Sequence, residues 1–118
     1  MKDLAPHIVR QRLLIEGTYT ANVDRVFVES FLLDLAQALG LRTYGAPMVH
    51  APEGAGKDEN EGFDAFIPLI DSGISLYVWT GARFFATVLF TCKAFDETEA
   101  LRFTAHRFET TAIEHQRF

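Results

Sequence analysis

The chain has 118 residues, 48% of them apolar, and a formal net charge of −5. This length predicts a single domain, residues 1–118, with a sizeable hydrophobic core. The acidic balance and scattered basic residues argue against nucleic-acid binding. The chain has no apolar run of about 18 residues, so no membrane span is predicted. One cysteine and an N-terminus without a signal-peptide pattern predict a cytoplasmic protein.

The first elements along the chain are a strand and a long helix. Residues 12–19 predict a strand, and apolar residues then recur at helical spacing from 23 to 39. Thr20 or Asn22 is expected to cap this helix, because a short side-chain oxygen accepts an unpaired backbone N–H there. Gly40 is expected to end the helix in the left-handed conformation.

The middle of the chain predicts two strands separated by a polar loop. Residues 41–49 predict a second strand, in which Pro47 marks an edge or a bulge. Residues 51–62 are small, polar and acidic, which predicts a loop and a candidate lid or insertion. Residues 63–70 predict a third strand.

A hairpin follows, with strands at 74–79 and 84–92 about a turn at 80–82. Because side chains alternate along a strand, the first of these strands has an apolar face and a polar-aromatic face. The apolar face carries Ile74, Leu76 and Val78, and the other carries Ser75, Tyr77 and Trp79.

The end of the chain predicts a helix and a last strand. Asp96 and Glu99 resemble a capping box, with Asp96 as the cap and Glu99 reaching back. The helix is expected to run to about Arg107, and residues 108–118 alternate as a strand. The order β-α-β-β-β-β-α-β predicts an α+β fold, a two-layer sandwich in which two helices cover one face of a mostly antiparallel sheet.

The candidate chemistry lies between residues 71 and 92. Asp71 and Ser72 form an acid–serine pair at a turn, and Cys92 is the only cysteine. A hairpin that joins the hydroxyl nucleophile to the thiol can form an active site. Alternatively, Ser72 bonds its own backbone in an Asp-Ser-Gly turn, and Cys92 is a small buried hydrophobe.

This stretch resembles the self-cleaving core of the short prokaryotic S-adenosylmethionine decarboxylases. Ser72, Ser75, Trp79 and the Phe-Thr-Cys at 90–92 match that family's pattern, with its spacing from serine to cysteine. The resemblance extends over nearly the whole chain apart from the first ten residues and the loop after His50. It reaches the first strand, the helix that follows it, and the final strand through residue 118.

The resemblance implies roles for several residues. In that family the serine attacks the preceding carbonyl, the chain is cleaved, and the serine becomes a pyruvoyl group that serves as an electron sink for decarboxylation. Ser72 would be this serine, and Asp71 the residue before the cleaved bond. Cys92 would return a proton, and Glu16 lies near the position of a substrate-binding acid. Glu16 is equally consistent with an exposed strand end.

The chain departs from the family pattern at the groups that assist cleavage. Gly73 and Tyr77 replace two histidines, residues 80–81 replace a Pro-Glu pair, and Asp64 stands where the family has an assisting serine. A tyrosine, with a reference pKa near ~10, is a poor base at neutral pH, although it can donate a hydrogen bond. We therefore expect Ser72 to remain uncleaved.

A ligand pocket, if retained, is predicted around Ser72, Tyr77 and Cys92, bordered by the loop at 51–62. Ser75, Tyr77 and Trp79 would form a wall suited to an amphipathic nucleoside. Trp79 is either an adenine-stacking residue or core. The four histidines lack metal-ligand spacing, so no metal is expected.

Three functions fit these residues. In the first, a non-cleaving homologue binds S-adenosylmethionine or a related nucleoside, or acts as a regulatory partner, without a cofactor. In the second, an active decarboxylase carries a pyruvoyl group made from Ser72 and supplies aminopropyl groups for spermidine synthesis. In the third, Ser72, Tyr77 and Cys92 act directly on another substrate. The resemblance implies a homodimer, which the eleven phenylalanines favour.

Overall fold

The structure, a computed structural model, describes residues 1–51 and 61–118. Within these ranges the elements follow one another in the predicted order. They are β1 (Gln11–Tyr19), α1 (Arg25–Ala38), β2 (Met48–His50), β3 (Gly62–Leu69), β4 (Ser72–Trp79), β5 (Phe84–Thr91), α2 (Glu97–Phe108) and β6 (Thr110–Arg117).

The strands form one six-stranded sheet in the order β2-β3-β4-β5-β1-β6, and every neighbouring pair is antiparallel. The two helices contact each other. α1 packs against β2, β3 and β4, whereas α2 packs against β1 and β6. The predicted two-layer α+β fold is confirmed.

Alternation along β4 sorts its side chains as predicted. Ile74, Leu76 and Val78 are buried beneath the helices, and the intervening residues point to the face that the helices leave uncovered. We call this uncovered side of the sheet the open face. The core lies between the helices and the side of the sheet that faces them.

Phe108, the last residue of α2, holds the two layers together. It is fully buried, its ring stacks on Phe85 of β5 at 4.0 Å between centroids, and it meets Phe31 of α1 edge to face at 4.9 Å. One aromatic cluster therefore joins both helices to the centre of the sheet.

The cap of α1 was predicted at the wrong residue. Asp24 is the N-cap, and its side chain accepts a 2.8 Å hydrogen bond from the Phe27 backbone N–H. Thr20 instead donates its hydroxyl proton to the Glu109 carbonyl, 2.9 Å away. The helix consequently starts at Arg25, and Gly40 follows its end with a φ of 68°, as predicted.

The second strand is much shorter than the predicted 41–49. Only Met48–His50 is a strand, and a single bridge from Thr43 to Leu69 precedes it. Pro47 cannot donate to a sheet ladder, and it stands immediately before β2 at the edge of the sheet. Most of the predicted loop at 51–62 lies outside the described residues.

The capping box of α2 is half formed. Asp96 caps the helix by accepting from the Glu99 backbone N–H at 3.2 Å, as predicted. The Glu99 carboxylate does not reach back, because it pairs with the guanidinium of Arg102 one turn later. This pairing lowers the pKa of Glu99.

Candidate active site

The β4–β5 hairpin brings Ser72 and Cys92 together. Ser72 begins β4, and Cys92 follows the last residue of β5. The Ser72 hydroxyl accepts a 2.9 Å hydrogen bond from the backbone N–H of Cys92. The hydroxyl is therefore held beside the residue that carries the thiol.

A cavity of about 240 Å³ opens beside this pair, and we call it the end pocket. Its polar lining comes from the β3–β4 turn, from the end of β5 and from the segment after α1. The lining residues are Leu41, Arg42, Leu69, Ile70, Asp71, Ser72, Cys92 and Lys93. The pocket therefore combines apolar walls with side chains of both charges.

The turn that presents Ser72 has a distinctive backbone. Asp71 adopts a left-handed conformation with a φ of 54°. Such a conformation is uncommon for residues other than glycine, although aspartate tolerates it better than most. The peptide bond between Asp71 and Ser72 therefore follows a residue in a less favourable backbone state.

Tyr77 lies elsewhere on the sheet. On the open face it stands directly opposite Asp64 of β3, and Asp64 stands directly opposite His50 of β2. These side chains border a shallow depression of about 330 Å³, which we call the face groove. The groove is lined by Met48, His50, Asp64, Ala65, Phe66, Ser75 and Tyr77.

The prediction of a single pocket around Ser72, Tyr77 and Cys92 is therefore wrong for the single chain. Ser72 and Tyr77 are five residues apart on β4, which separates them by about 16 Å. Because five is an odd number of residues, their side chains also point to opposite faces of the sheet. Tyr77 borders the face groove, and Ser72 borders the end pocket. Neither can act on the other within one chain.

The remaining predicted ligand residues also lie away from Ser72. Ser75 lines the face groove. Glu16 faces the same side of the sheet, and Ala86 lies between it and Tyr77 in the cross-strand register. Trp79 is about 23 Å from Ser72 along β4, where its ring packs 5.3 Å from that of Phe84.

Sequence reasoning missed His50, Arg42 and Lys93. The sequence assigned the histidines no role, yet His50 shares the face groove with Asp64 and Tyr77. The register of β2 with β3 is the information that places it there. Arg42 and Lys93 line the end pocket, and only the packing of the post-helix segment beside the hairpin brings them together.

Comparison with known proteins gives this geometry a context. A family model described as S-adenosylmethionine decarboxylase matches residues 15–118. The chain belongs to the S-adenosylmethionine decarboxylase family. The match begins within β1 and includes both the end pocket and the face groove.

A solved member of the S-adenosylmethionine decarboxylases has the same fold. The crystal structure of the adenosylmethionine decarboxylase from Aquifex aeolicus VF5 superimposes with a TM-score of 0.72. The identity is 15%, and the alignment covers 94% of this chain and 89% of the other. A likeness at this identity establishes the fold. No curated protein sequence matches the chain.

The packing around Gly73 leaves little room for a side chain. A Cβ added at Gly73 would lie 2.5 Å from Cε2 of the Phe66 ring, on the neighbouring strand. A histidine at position 73 would therefore require Phe66 to move. The Phe66 ring thus occupies the space that a side chain at position 73 would need.

Two kinds of site were also sought in residues 1–51 and 61–118. No group of three or more His, Cys, Asp or Glu side chains there could hold a metal ion. Neither helix in these ranges has the length and apolarity that crossing a membrane would require.

Proposed function

We propose that this member of the S-adenosylmethionine decarboxylase family binds S-adenosylmethionine or a related nucleoside at the end pocket without cleaving its own chain. Acting as a regulatory partner of an active enzyme is part of the same proposal. This proposal rests on the surroundings of the Ser72 hydroxyl.

Self-cleavage requires a base to activate the serine, because a free hydroxyl is a weak nucleophile. In the described residues the Ser72 hydroxyl has one hydrogen-bond partner, the Cys92 N–H, which is a donor and not a base. Tyr77 and Asp64, at the family's assisting positions, lie opposite each other about 16 Å away. Formation of a pyruvoyl group from Ser72 therefore does not fit the residues around it in one chain.

One observation favours the alternative, an active pyruvoyl-dependent decarboxylase. Asp71 precedes the bond that self-cleavage would break, and its φ of 54° stores backbone energy next to that bond. However, Arg83 and Glu109 adopt the same conformation at other turns, with φ values of 51°. The left-handed backbone at Asp71 thus has an ordinary role as a turn.

Intact mass spectrometry of the purified protein separates the two functions. The proposed function predicts one species of 13.3 kDa. Cleavage before Ser72 would instead give fragments of residues 1–71 and 72–118, with a carbonyl at position 72 that hydroxylamine would trap. The two-fragment result would replace the proposed function with the decarboxylase.

We also propose that the protein is a homodimer whose subunits meet through the open face. That face is exposed in the single chain, and large apolar residues lie on its central strands and near both of its edges. Among them Met48, Tyr77, Phe90 and Phe118 have exposed fractions of 53%, 40%, 40% and 55%. Exposed apolar surface of this kind is typical of protein interfaces.

A further inference from the structure

Cross-strand register arranges the side chains of the open face in rows that run across the sheet. The middle row is mostly apolar and consists of Met48, Phe66, Ser75, Val88, Leu14 and Gln116. On one side of it lies a row with three carboxylates, which consists of His50, Asp64, Tyr77, Ala86, Glu16 and Glu114. The row on the other side consists of Pro68, Gly73, Phe90 and Arg12. The open face is therefore negative on one side of the middle row and positive on the other.

Two opposite charges on β1 have no partner within residues 1–51 and 61–118. Arg12 and Glu16 are half-buried and form no ion pair in that part of the chain, and the Arg12 Nε is buried without a hydrogen bond there. Glu16 also stands directly opposite Glu114, and like charges in such a pair repel. Arg12 cannot compensate within one chain, because four residues of a strand separate it from Glu16 by about 13 Å.

A two-fold axis between two copies can bring these charges together. Sheets that pack face to face lie about 10 Å apart with nearly aligned strands, and a two-fold interface joins the same surface of both subunits. An axis along the strands would place the row of carboxylates over its own copy, where like charges repel. An axis along the middle row places Leu14 on its own copy and Arg12 of each subunit opposite the partner's Glu16. Charge complementarity therefore selects the second axis.

From this arrangement we propose that two copies of this chain meet about an axis at Leu14, with Arg12 bound to the partner's Glu16. This inference rests on the proposed homodimer and deepens it, because it names the residues that set how the subunits are oriented. The Arg12 guanidinium lies 5.8 Å from the centroid of the Phe118 ring, and Phe90 is its cross-strand neighbour. Two apolar rings beside the ion pair would exclude water and so strengthen the attraction. Arg12 precedes residues 15–118, so the family model does not include this pairing.

Reversal of each charge tests the proposed pair through the dissociation constant of the dimer, measured by sedimentation equilibrium. Arg12→Glu and Glu16→Arg should each raise this constant about 100-fold, because symmetry changes two ion pairs and each contributes about tenfold. The double variant Arg12→Glu/Glu16→Arg should return it to near the wild-type value. Glu29→Arg makes the same charge change on α1 and should leave the constant unchanged. Circular dichroism checks that each variant is folded.

Net charge alone predicts a different pattern. Arg12→Glu makes a chain of net charge −5 more acidic and Glu16→Arg makes it less acidic, so general repulsion would weaken the first dimer and strengthen the second. The proposed pairing instead weakens both.

Mixing the two single variants distinguishes a lost ion pair from a folding defect. A 1:1 mixture should form a heterodimer of near wild-type affinity, because the introduced glutamate then faces the introduced arginine while the second pair stays native. A wild-type dimer that both reversals leave unchanged, or a mixture that stays monomeric, would overturn the pairing and leave the homodimer standing. A monomeric wild type would overturn both.

Discussion

Replacing Ser72 with alanine tests whether its hydroxyl is a structural acceptor. The bond from the Cys92 N–H to the Ser72 hydroxyl is 2.9 Å long and partly buried, and it ties the start of β4 to the residue after β5. Ser72→Ala removes the acceptor and leaves the amide without this partner. Ser75→Ala is a matched control on the same strand, because the Ser75 hydroxyl makes no hydrogen bond to the described residues.

The expected magnitude follows from the burial of this bond. An intramolecular hydrogen bond contributes about 1 kcal/mol, and an unsatisfied amide costs about 1–3 kcal/mol when fully buried. For a partly buried amide we expect Ser72→Ala to lower the free energy of unfolding by about 1–2 kcal/mol. A domain of this length loses about 4 °C in Tm per kcal/mol, so the Tm should fall by about 4–8 °C.

The assay is thermal unfolding followed by circular dichroism, with both variants at the same protein concentration. Ser75→Ala should stay within about 2 °C of the wild type, since surface changes are usually small. Equal Tm values for Ser72→Ala and the wild type would show that the hydroxyl contributes no structural acceptor.

Three further changes test the packing, the helix cap and the dimer. Gly62→Ala should lower the free energy of unfolding in urea by about 2–3 kcal/mol, because its Cβ would lie 1.7 Å from a backbone oxygen of β4. Gly81→Ala is the control and should be neutral, because no atom lies within 4 Å of its Cβ. Equal urea midpoints for the two variants would contradict this. Asp24→Ala should cost about 1 kcal/mol and Asn22→Ala almost nothing; the opposite order would restore the cap predicted from the sequence. Light scattering at micromolar concentration should report a dimer. Val88→Asp, on the open face, should raise the dimer dissociation constant by roughly 100-fold. A monomeric wild type would refute the interface.

Local patterns predicted most of the fold. The alternation in β4, the helical spacing of α1 and the glycine at 40 are short-range signals, and each is confirmed. The second strand was predicted too long because Pro47 was interpreted as an edge or a bulge within the strand, whereas the strand begins only after it, at Met48. The cap of α1 was predicted at the wrong residue because Thr20, Asn22 and Asp24 all offer suitable side-chain oxygens, and only the path of the chain after β1 selects Asp24.

The candidate site divides into a part that the sequence could predict and a part that it could not. Strand geometry alone separates Ser72 from Tyr77, since five residues of a strand span about 16 Å and place the two side chains on opposite faces of the sheet. This information was available in the predicted hairpin. In contrast, the placement of Arg42 beside Lys93 depends on how the segment after α1 packs against the end of the hairpin, which no local pattern specifies.

The residues that the sequence resemblance singled out lie at two separate sites of the sheet. Ser72 and Cys92 adjoin each other at the end pocket, where the Cys92 N–H bonds the Ser72 hydroxyl. Asp64 and Tyr77 are cross-strand neighbours at the face groove, and Tyr77 is about 16 Å from Ser72 along β4. Because the two sites share no lining residue, substitutions at one should leave ligand binding at the other unchanged within a single chain.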